Sequence, residues 1–289
     1  MDLNNDGHRD ILSGSYSRMG QSMAGLFQVL WGQPGGKFKQ SAVLNGTDGE
    51  PLIIPIKNKS EQIQNICTRP WAVDWNGDGN LDLVVGNFAG SFYIFTGKGK
   101  DKFEPKPEPL MVGNKPLAIE GHHSDPFMVD WDGDGDLDLL SGSDMGGVQW
   151  AQNTAGKGKT PVLKEFETLI KPGAKFENGQ LVSEADLTEP AGSTRVWVDD
   201  VNGDGKLDIL VGDSVTLVSL AKGVSKEEYD KKLEKWQKAY TDASKAMGEA
   251  NGDDKKEQAA RKRFTELYQQ RTEFMKEDRT GYVWLYRQK

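Results

Sequence analysis

A nine-residue pattern occurs four times in this chain, and no other feature restricts its fold as tightly. The copies are DLNNDGHRD (2–10), DWNGDGNLD (74–82), DWDGDGDLD (130–138) and DVNGDGKLD (200–208). Positions 1, 3, 5 and 9 always carry Asp or Asn, and position 6 is always glycine: Gly7, Gly79, Gly135 and Gly205. Oxygens at this spacing suit a hard cation such as calcium, which takes about six to eight oxygen ligands at ~2.3–2.6 Å. The glycine permits the positive φ that so tight a wrap demands. Position 7 varies (His8, Asn80, Asp136, Lys206). That variation fits a ligand offered by the backbone carbonyl, since a lysine side chain has no acceptor.

The copies begin at residues 2, 74, 130 and 200. That is wider than the roughly 40–50 residues of common propeller repeats, and it reads as four-stranded blades with insertions. A short apolar strand leads into the last three loops (71–73, 127–129, 196–198). A second strand, ending in glycine, leaves every loop: ILSG (11–14), LVVG (83–86), LLSG (139–142) and ILVG (209–212). Third strands follow a glycine turn: GLFQVLW (25–31), GSFYIF (90–95), GVQWAQN (147–153) and GYVWLYR (281–287). Fourth strands centre on phenylalanine in KFKQSAVL (37–44), KFEPK (102–106) and KEFETLI (164–170). Apolar residues that alternate, or run unbroken between Gly, Asn and Pro, mark strands. The first copy lacks a strand before it and the last lacks a fourth strand, so the chain reads as N-terminally truncated.

The last unit is interrupted by a polar segment, 223–278. Ser225 and Glu228 form a capping box that opens a helix. Tyr229, Leu233, Trp236, Tyr240, Ala243 and Met247 then recur at helical spacing. Asn251-Gly252-Asp253-Asp254 makes a turn, with Asp254 and Glu257 as a second capping box, and Ala260, Phe264, Leu267, Arg271 and Phe274 repeat the seam. This predicts an antiparallel helical hairpin with one narrow apolar face on each arm. The arms are expected to pack on each other, with self-association through those faces as the alternative.

With strands and loops placed, the chain resembles the FG-GAP / VCBS repeat family of calcium-binding β-propellers, a design shared with the propeller of integrin α subunits. The four loops, the D-[LI]-[LV]-x-G strands after them and the glycine turns carry the resemblance, with Asn87-Phe88-Ala89-Gly90 as the nearest echo of the family's naming motif. It covers 1–222 and 279–289 and leaves the hairpin, 223–278, as an insertion in the last blade. It implies an all-β fold: a β-propeller of four recognisable blades, either an open arc, a small ring or part of a larger one. It also implies that up to four structural calcium ions stiffen the turns between first and second strands. The ligands carried over are Asp2, Asn4, Asp6, His8 (carbonyl) and Asp10 in the first loop, and Asp74, Asn76, Asp78, Asn80 (carbonyl) and Asp82 in the second. The third would use Asp130, Asp132, Asp134, Asp136 (carbonyl) and Asp138, and the fourth Asp200, Asn202, Asp204, Lys206 (carbonyl) and Asp208. A non-catalytic binding or adhesion module for carbohydrate or protein follows, with a polysaccharide lyase or hydrolase on the same scaffold as the alternative. Loops of this kind often need millimolar calcium, so the intact protein is expected to be extracellular or periplasmic.

Other readings fall on particular residues. A net charge of −8 and a pI near 5.1 argue against nucleic acid, and four divalent ions would cancel that charge. No apolar run approaches the ~20 residues of a membrane span, and no signal peptide is visible. An EF-hand needs Glu at position 12, where Ser13, Val85, Ser141 and Val211 stand. GKGKT (156–160) has Asn153 where a phosphate loop needs glycine, so it reads as a solvated turn. Asn45-Gly46-Thr47 and Asn58-Lys59-Ser60 are glycosylation sequons. Arg69, Asp125 and Arg195 align just before or at the start of the first strands, with His122 and His123 close by. These five are expected either to pair among themselves or to clamp a carboxylate on an acidic sugar or peptide.

Overall fold

The computed structural model describes residues 1–16, 26–56, 65–250 and 253–289. Gly25, the Asn58-Lys59-Ser60 sequon and the Asn251-Gly252 half of the hairpin turn lie outside the described residues. The fold is mostly antiparallel β-sheet with two α-helices. The chain forms two compact units: Met1–Gly173, Glu189–Asp213 and Tyr282–Lys289 make the first, and Ala174–Thr188 with Ser214–Gly281 the second. Among the described residues no helix is long and apolar enough to cross a membrane.

In the first unit each loop is followed by a small meander. β1 (Ile11–Ser13), β2 (Gln28–Leu30) and β5 (Ala42–Val43) pair in that order, with the short β3 (Gly32–Gln33) and β4 (Lys37–Phe38) paired to each other. β6 (Arg69–Val73), β7 (Asp82–Gly86), β8 (Phe92–Phe95) and β9 (Glu108–Pro109) form the second sheet, followed by the ribbon β10 (Met111–Val112) and β11 (Lys115–Pro116). The third sheet is β12 (Asp125–Val129), β13 (Asp138–Gly142), β14 (Val148–Ala151) and β15 (Glu167–Ile170). In the fourth, β16 (Gly192–Asp199) pairs with β17 (Asp208–Leu220); β18 (Met275–Thr280) and β19 (Val283–Tyr286) also pair with β17. The phenylalanine expected to centre a fourth strand at 102–106 does not do so. Phe103 makes a single bridge to Gly97 and is fully buried, while pairing resumes at Glu108–Pro109. The Phe38 segment likewise folds into the β3–β4 hairpin, and the outer strand of its sheet is Ala42–Val43.

The second strands explain the core. Leu83 and Val85 enter one apolar cluster with Phe27, Val29 and Leu44, whereas Val84 enters the next with Met128 and Leu139. Leu140 joins a third with Val196, Ile209 and Val211. Successive residues of a strand face opposite ways. A strand covered on both faces must therefore be apolar without a break, as LVV and LL are.

Successive sheets are latched at the glycine that ends each second strand. Ser15, Asn87 and Ser143, each just past that glycine, donate their amides to the hydroxyls of Thr68, Ser124 and Thr194 at 3.0, 2.8 and 2.9 Å. The amides of Thr68, Ser124 and Thr194 return bonds to the carbonyls of Ser15, Asn87 and Ser143 at 3.2, 3.1 and 2.9 Å. The carbonyls of Thr68, Ser124 and Thr194 then lie where a Cβ on Gly14, Gly86 or Gly142 would have to be. Gly212, the fourth copy, has nothing within 4 Å of that point, and the Asp213 amide bonds to the Tyr282 carbonyl instead.

In the second unit α1 (Lys226–Ala250) starts at Ser225, whose hydroxyl accepts the Glu228 amide at 3.2 Å. α2 (Asp254–Arg271) is capped by Asp253, which accepts the amides of Lys255 and Lys256. The cap is thus one residue before Asp254, because a cap must stand outside the helical residues to aim its oxygen at their free amides. Tyr229, Trp236 and Ala243 from α1 meet Leu267 of α2, but the seam extends further, to Val218, Phe274 and Met275. The Trp236 indole donates to the Leu267 carbonyl at 2.8 Å, and the Tyr229 hydroxyl to the Gly179 carbonyl.

The latch predicts a contrast between two equivalent glycines. Gly142→Ala is expected to cost about 1–3 kcal/mol through overpacking, and Gly212→Ala to stay within about 0.5 kcal/mol. Urea denaturation of the two variants checks it.

Candidate metal centre and ligand face

The four loops share most of one internal geometry, the third lacking only the bond from the Asp134 amide to Asp130. In 74–82, Asp74 accepts the amides of Asp78 (3.1 Å) and Gly79 (3.0 Å), Asn76 accepts that of Asp78 (2.9 Å), and Asp78 that of Asn80 (2.8 Å). Loops 2–10 and 200–208 repeat these bonds. The amide bond from position 7 is the leading cause that holds the Asp6 and Asp204 carboxyls below the usual range. Backbone amides thus draw the side chains at positions 1, 3 and 5 inward. Position 6 takes a φ of 85–93° throughout, and position 4 is left-handed as well: Gly77, Gly133 and Gly203 at 74–77°, and Asn5 at 57°. Asn is among the few side chains that adopt this region. The Asn/Gly restriction at position 4 was visible in the sequence and went unread.

Position 9 has a second task. Asp10, Asp82, Asp138 and Asp208 are all buried. One oxygen of Asp10, Asp82 and Asp138 accepts the amide of position 2 (Leu3, Trp75, Trp131), and the other accepts an amide beyond the third strand's pairing (Gly32, Gly97, Asn153). Asp208 accepts the Gln288 amide in the same way. This aspartate therefore ties the loop to the third strand whether or not an ion is bound. Burial pushes the Asp82 and Asp138 carboxyls up, against the amides that pull them down.

The donor set fits a hard cation. Oxygens of Asp130, Asp132 and Asp134 all come within 4.8 Å of one another. Asp130 Oδ1, Asp136 Oδ1 and Asp208 Oδ2 are enclosed with no hydrogen-bond partner. Such an orphaned buried acceptor costs about 1–3 kcal/mol or more, which coordination of a cation would offset. Asp136 does more than lend a carbonyl: its other oxygen accepts the Gly156 amide at 2.6 Å, from the GKGKT turn.

The five residues aligned at the starts of the first strands separate into two groups. β6, β12 and β16 lie side by side, and Asp125 Oδ1 bridges Arg69 Nε (3.6 Å) and Arg195 Nε (3.7 Å). Burial pushes the Asp125 carboxyl up, with Arg195 and Arg69 opposing. Arg69 also donates to the His123 carbonyl and Arg195 to the Thr194 carbonyl, both at 2.8 Å. The histidines flank this triad, and His123 touches it through its carbonyl. His123 packs edge-on against Phe88 at 4.8 Å, and His122 turns its Nδ1 toward Asp144 at 3.5 Å. Burial, then Arg69, pushes the His123 imidazole down.

Two residues further along the same strands, Trp71, Phe127 and Trp197 meet as an aromatic cluster with centroids 4.4–6.1 Å apart. Strand β16 alternates strictly, with Thr194, Val196 and Val198 buried and Arg195, Trp197 and Asp199 exposed. Trp197 is 52% exposed. The sequence reading missed this cluster, although a two-residue step from Arg69, Asp125 and Arg195 leads to it.

The staple predicts that Asp82→Ala destabilises with or without a divalent ion. Two buried amides, of Trp75 and Gly97, lose their acceptor, for a loss of about 3 kcal/mol. Thermal melts of the variant in chelator test this, and a loss confined to ion-loaded protein would contradict it.

A family model described as FG-GAP-like repeat matches residues 74–141 and again 130–211. No curated protein and no solved structure matches the chain. The two matched spans overlap and contain three of the four loops, together with β7 to β16 and the start of β17. Residues 74–211 therefore carry FG-GAP-like repeats.

Proposed function

We propose that this chain is a calcium-pinned β-propeller module, extracellular or periplasmic, that binds an acidic carbohydrate without transforming it. The observation that carries the reading is Trp197, half exposed beside Arg195 and braced edge-on by Trp71 and Phe127. A large aromatic surface left in water is unfavourable by about 25 cal/mol per Å² of apolar area. A sugar ring offers it an apolar face and surrounds that face with hydroxyls. Arg195 Nε is directed at Asp125 and Nη1 at backbone carbonyls. Its Nη2 donates to none of the described residues and is available to a carboxylate.

Calcium supplies the charge that the loops need. Asp2, Asn4 and Asp6, with their counterparts Asp74, Asn76 and Asp78, Asp130, Asp132 and Asp134, and Asp200, Asn202 and Asp204, would hold the ions through side chains. His8, Asn80, Asp136 and Lys206 would offer carbonyls, and the ninth aspartates a remaining lone pair. The ion would fix a turn whose carboxylates otherwise repel.

Two outcomes are expected. Chelation lowers the melting temperature by at least about 5 °C, because a site held at one hundred times its Kd adds about 2.7 kcal/mol. Asp132→Asn shrinks only that calcium-dependent increment, and an unchanged melt in chelator would defeat the structural role. In a glycan-binding assay, Trp197→Ala and Arg195→Ala each weaken binding to uronate-containing oligosaccharides at least tenfold (about 1.4 kcal/mol) with little change in melting. Undiminished binding by both variants would remove this face from consideration.

A further inference from the structure

The second unit contains a cavity of about 330 Å³, at the lower end of the ~300–1,000 Å³ typical of small-molecule sites. Strand register determines much of its lining. Thr216 lies opposite Arg279, and Val218 opposite Glu277, across β17 and β18. Directly opposed residues share a face, and the period of two adds Ser214 to it. That face lines the cavity, together with Tyr268 and Arg271 from the last turn of α2.

The charges here are unequally committed. Arg271, only 13% exposed, has Nη2 at 2.6 Å from Glu277 Oε2 and its guanidinium 3.9 Å above the Tyr268 ring. Glu277 is thereby neutralised. Arg279 makes no ion pair among the described residues, and neither does Glu177, which also lines the cavity. The walls thus offer one uncommitted guanidinium, one uncommitted carboxylate and the hydroxyls of Ser214 and Thr216, beside aromatic side chains.

An apolar ligand would strand these polar groups, at a cost for each one desolvated. A polyphosphate would meet the carboxylates of Glu177 and Glu277. A molecule with one carboxylate and several hydroxyls satisfies all of them. We infer that this cavity is a binding site for a monomeric sugar acid of the uronate class. Its carboxylate pairs with Arg279, and its hydroxyls donate to Glu177 and exchange hydrogen bonds with Ser214 and Thr216. Arg271, held in place by Glu277 and Tyr268, forms a fixed wall. This site is independent of the first-strand face, since all of its residues belong to the second unit.

The test is calorimetric titration of D-galacturonate into the whole chain carrying both Trp197→Ala and Arg195→Ala, which removes the two side chains that the first-strand face would use. Saturable binding is expected, about tenfold or more weaker for D-galactose, which lacks the carboxylate, and for Arg279→Ala. Arg279→Lys should recover part of the loss. Arg279 is exposed, and an unchanged melting curve would certify that the variant is folded. No saturation up to about 10 mM, equal affinity for galactose, or binding indifferent to Arg279→Ala would each overturn the proposal. None of these results depends on whether the first-strand face binds anything.

Discussion

The structure depends on a buried aspartate that ends each loop. Asp82 gives one oxygen to the Trp75 amide inside the loop and the other to the Gly97 amide beyond the third strand. A charge taken out of water is tolerable only when it is well bonded, and Asp10, Asp82 and Asp138 each accept two amides, whereas Asp208 accepts the Gln288 amide and keeps one oxygen without a partner. The loop is consequently fixed to its sheet before any ion arrives. The outer positions gather oxygens without burying them as deeply, and among them Asp130, Asp132 and Asp134 are close enough together to hold a cation.

The same economy governs contact between sheets. A second strand buried on both faces is apolar through its middle (Leu83–Val85, Leu139–Leu140) and has few polar side chains with which to make a junction. The junction is made instead at its end, by a glycine that admits a neighbouring carbonyl and by a Ser or Thr hydroxyl that takes the next amide. One latch joins the β1 sheet to β6, and the other two set β6, β12 and β16 side by side. Their outward residues then line up, charged at one level and aromatic at the next. This face follows from the repeat, because equivalent positions of successive units are placed together. The face is uneven, with Phe127 5% exposed between two tryptophans and Trp197 52% exposed.

Much of this was legible in the sequence because the loops are rigid local motifs. Asp and Asn at fixed spacing, glycine at position 6 and an apolar run to the next glycine determine local conformation with little help from elsewhere. The hairpin was legible for the same reason, since helical periodicity is local. What escaped notice depended on partners distant in sequence. The role of Gly86 requires knowledge of Ser124, and Phe103 proved to be a core residue with a single bridge because sheet pairing resumes at Glu108. The aromatic cluster needed three strands from three repeats. His122 and His123 also depended on distant partners: His123 takes a left-handed φ of 62°, both rings pack on Phe88, and the His123 carbonyl accepts a hydrogen bond from Arg69.

The central claim is that the loops are structural pins and that recognition lies elsewhere. Hydrogen–deuterium exchange of the full chain, with calcium and in chelator, tests it most directly. The account predicts slower exchange with calcium at 2–10, 74–82, 130–138 and 200–208, and little change at 193–199, where Arg195 and Trp197 stand. Calcium-dependent protection centred on 193–199, with the loops unaffected, would contradict it.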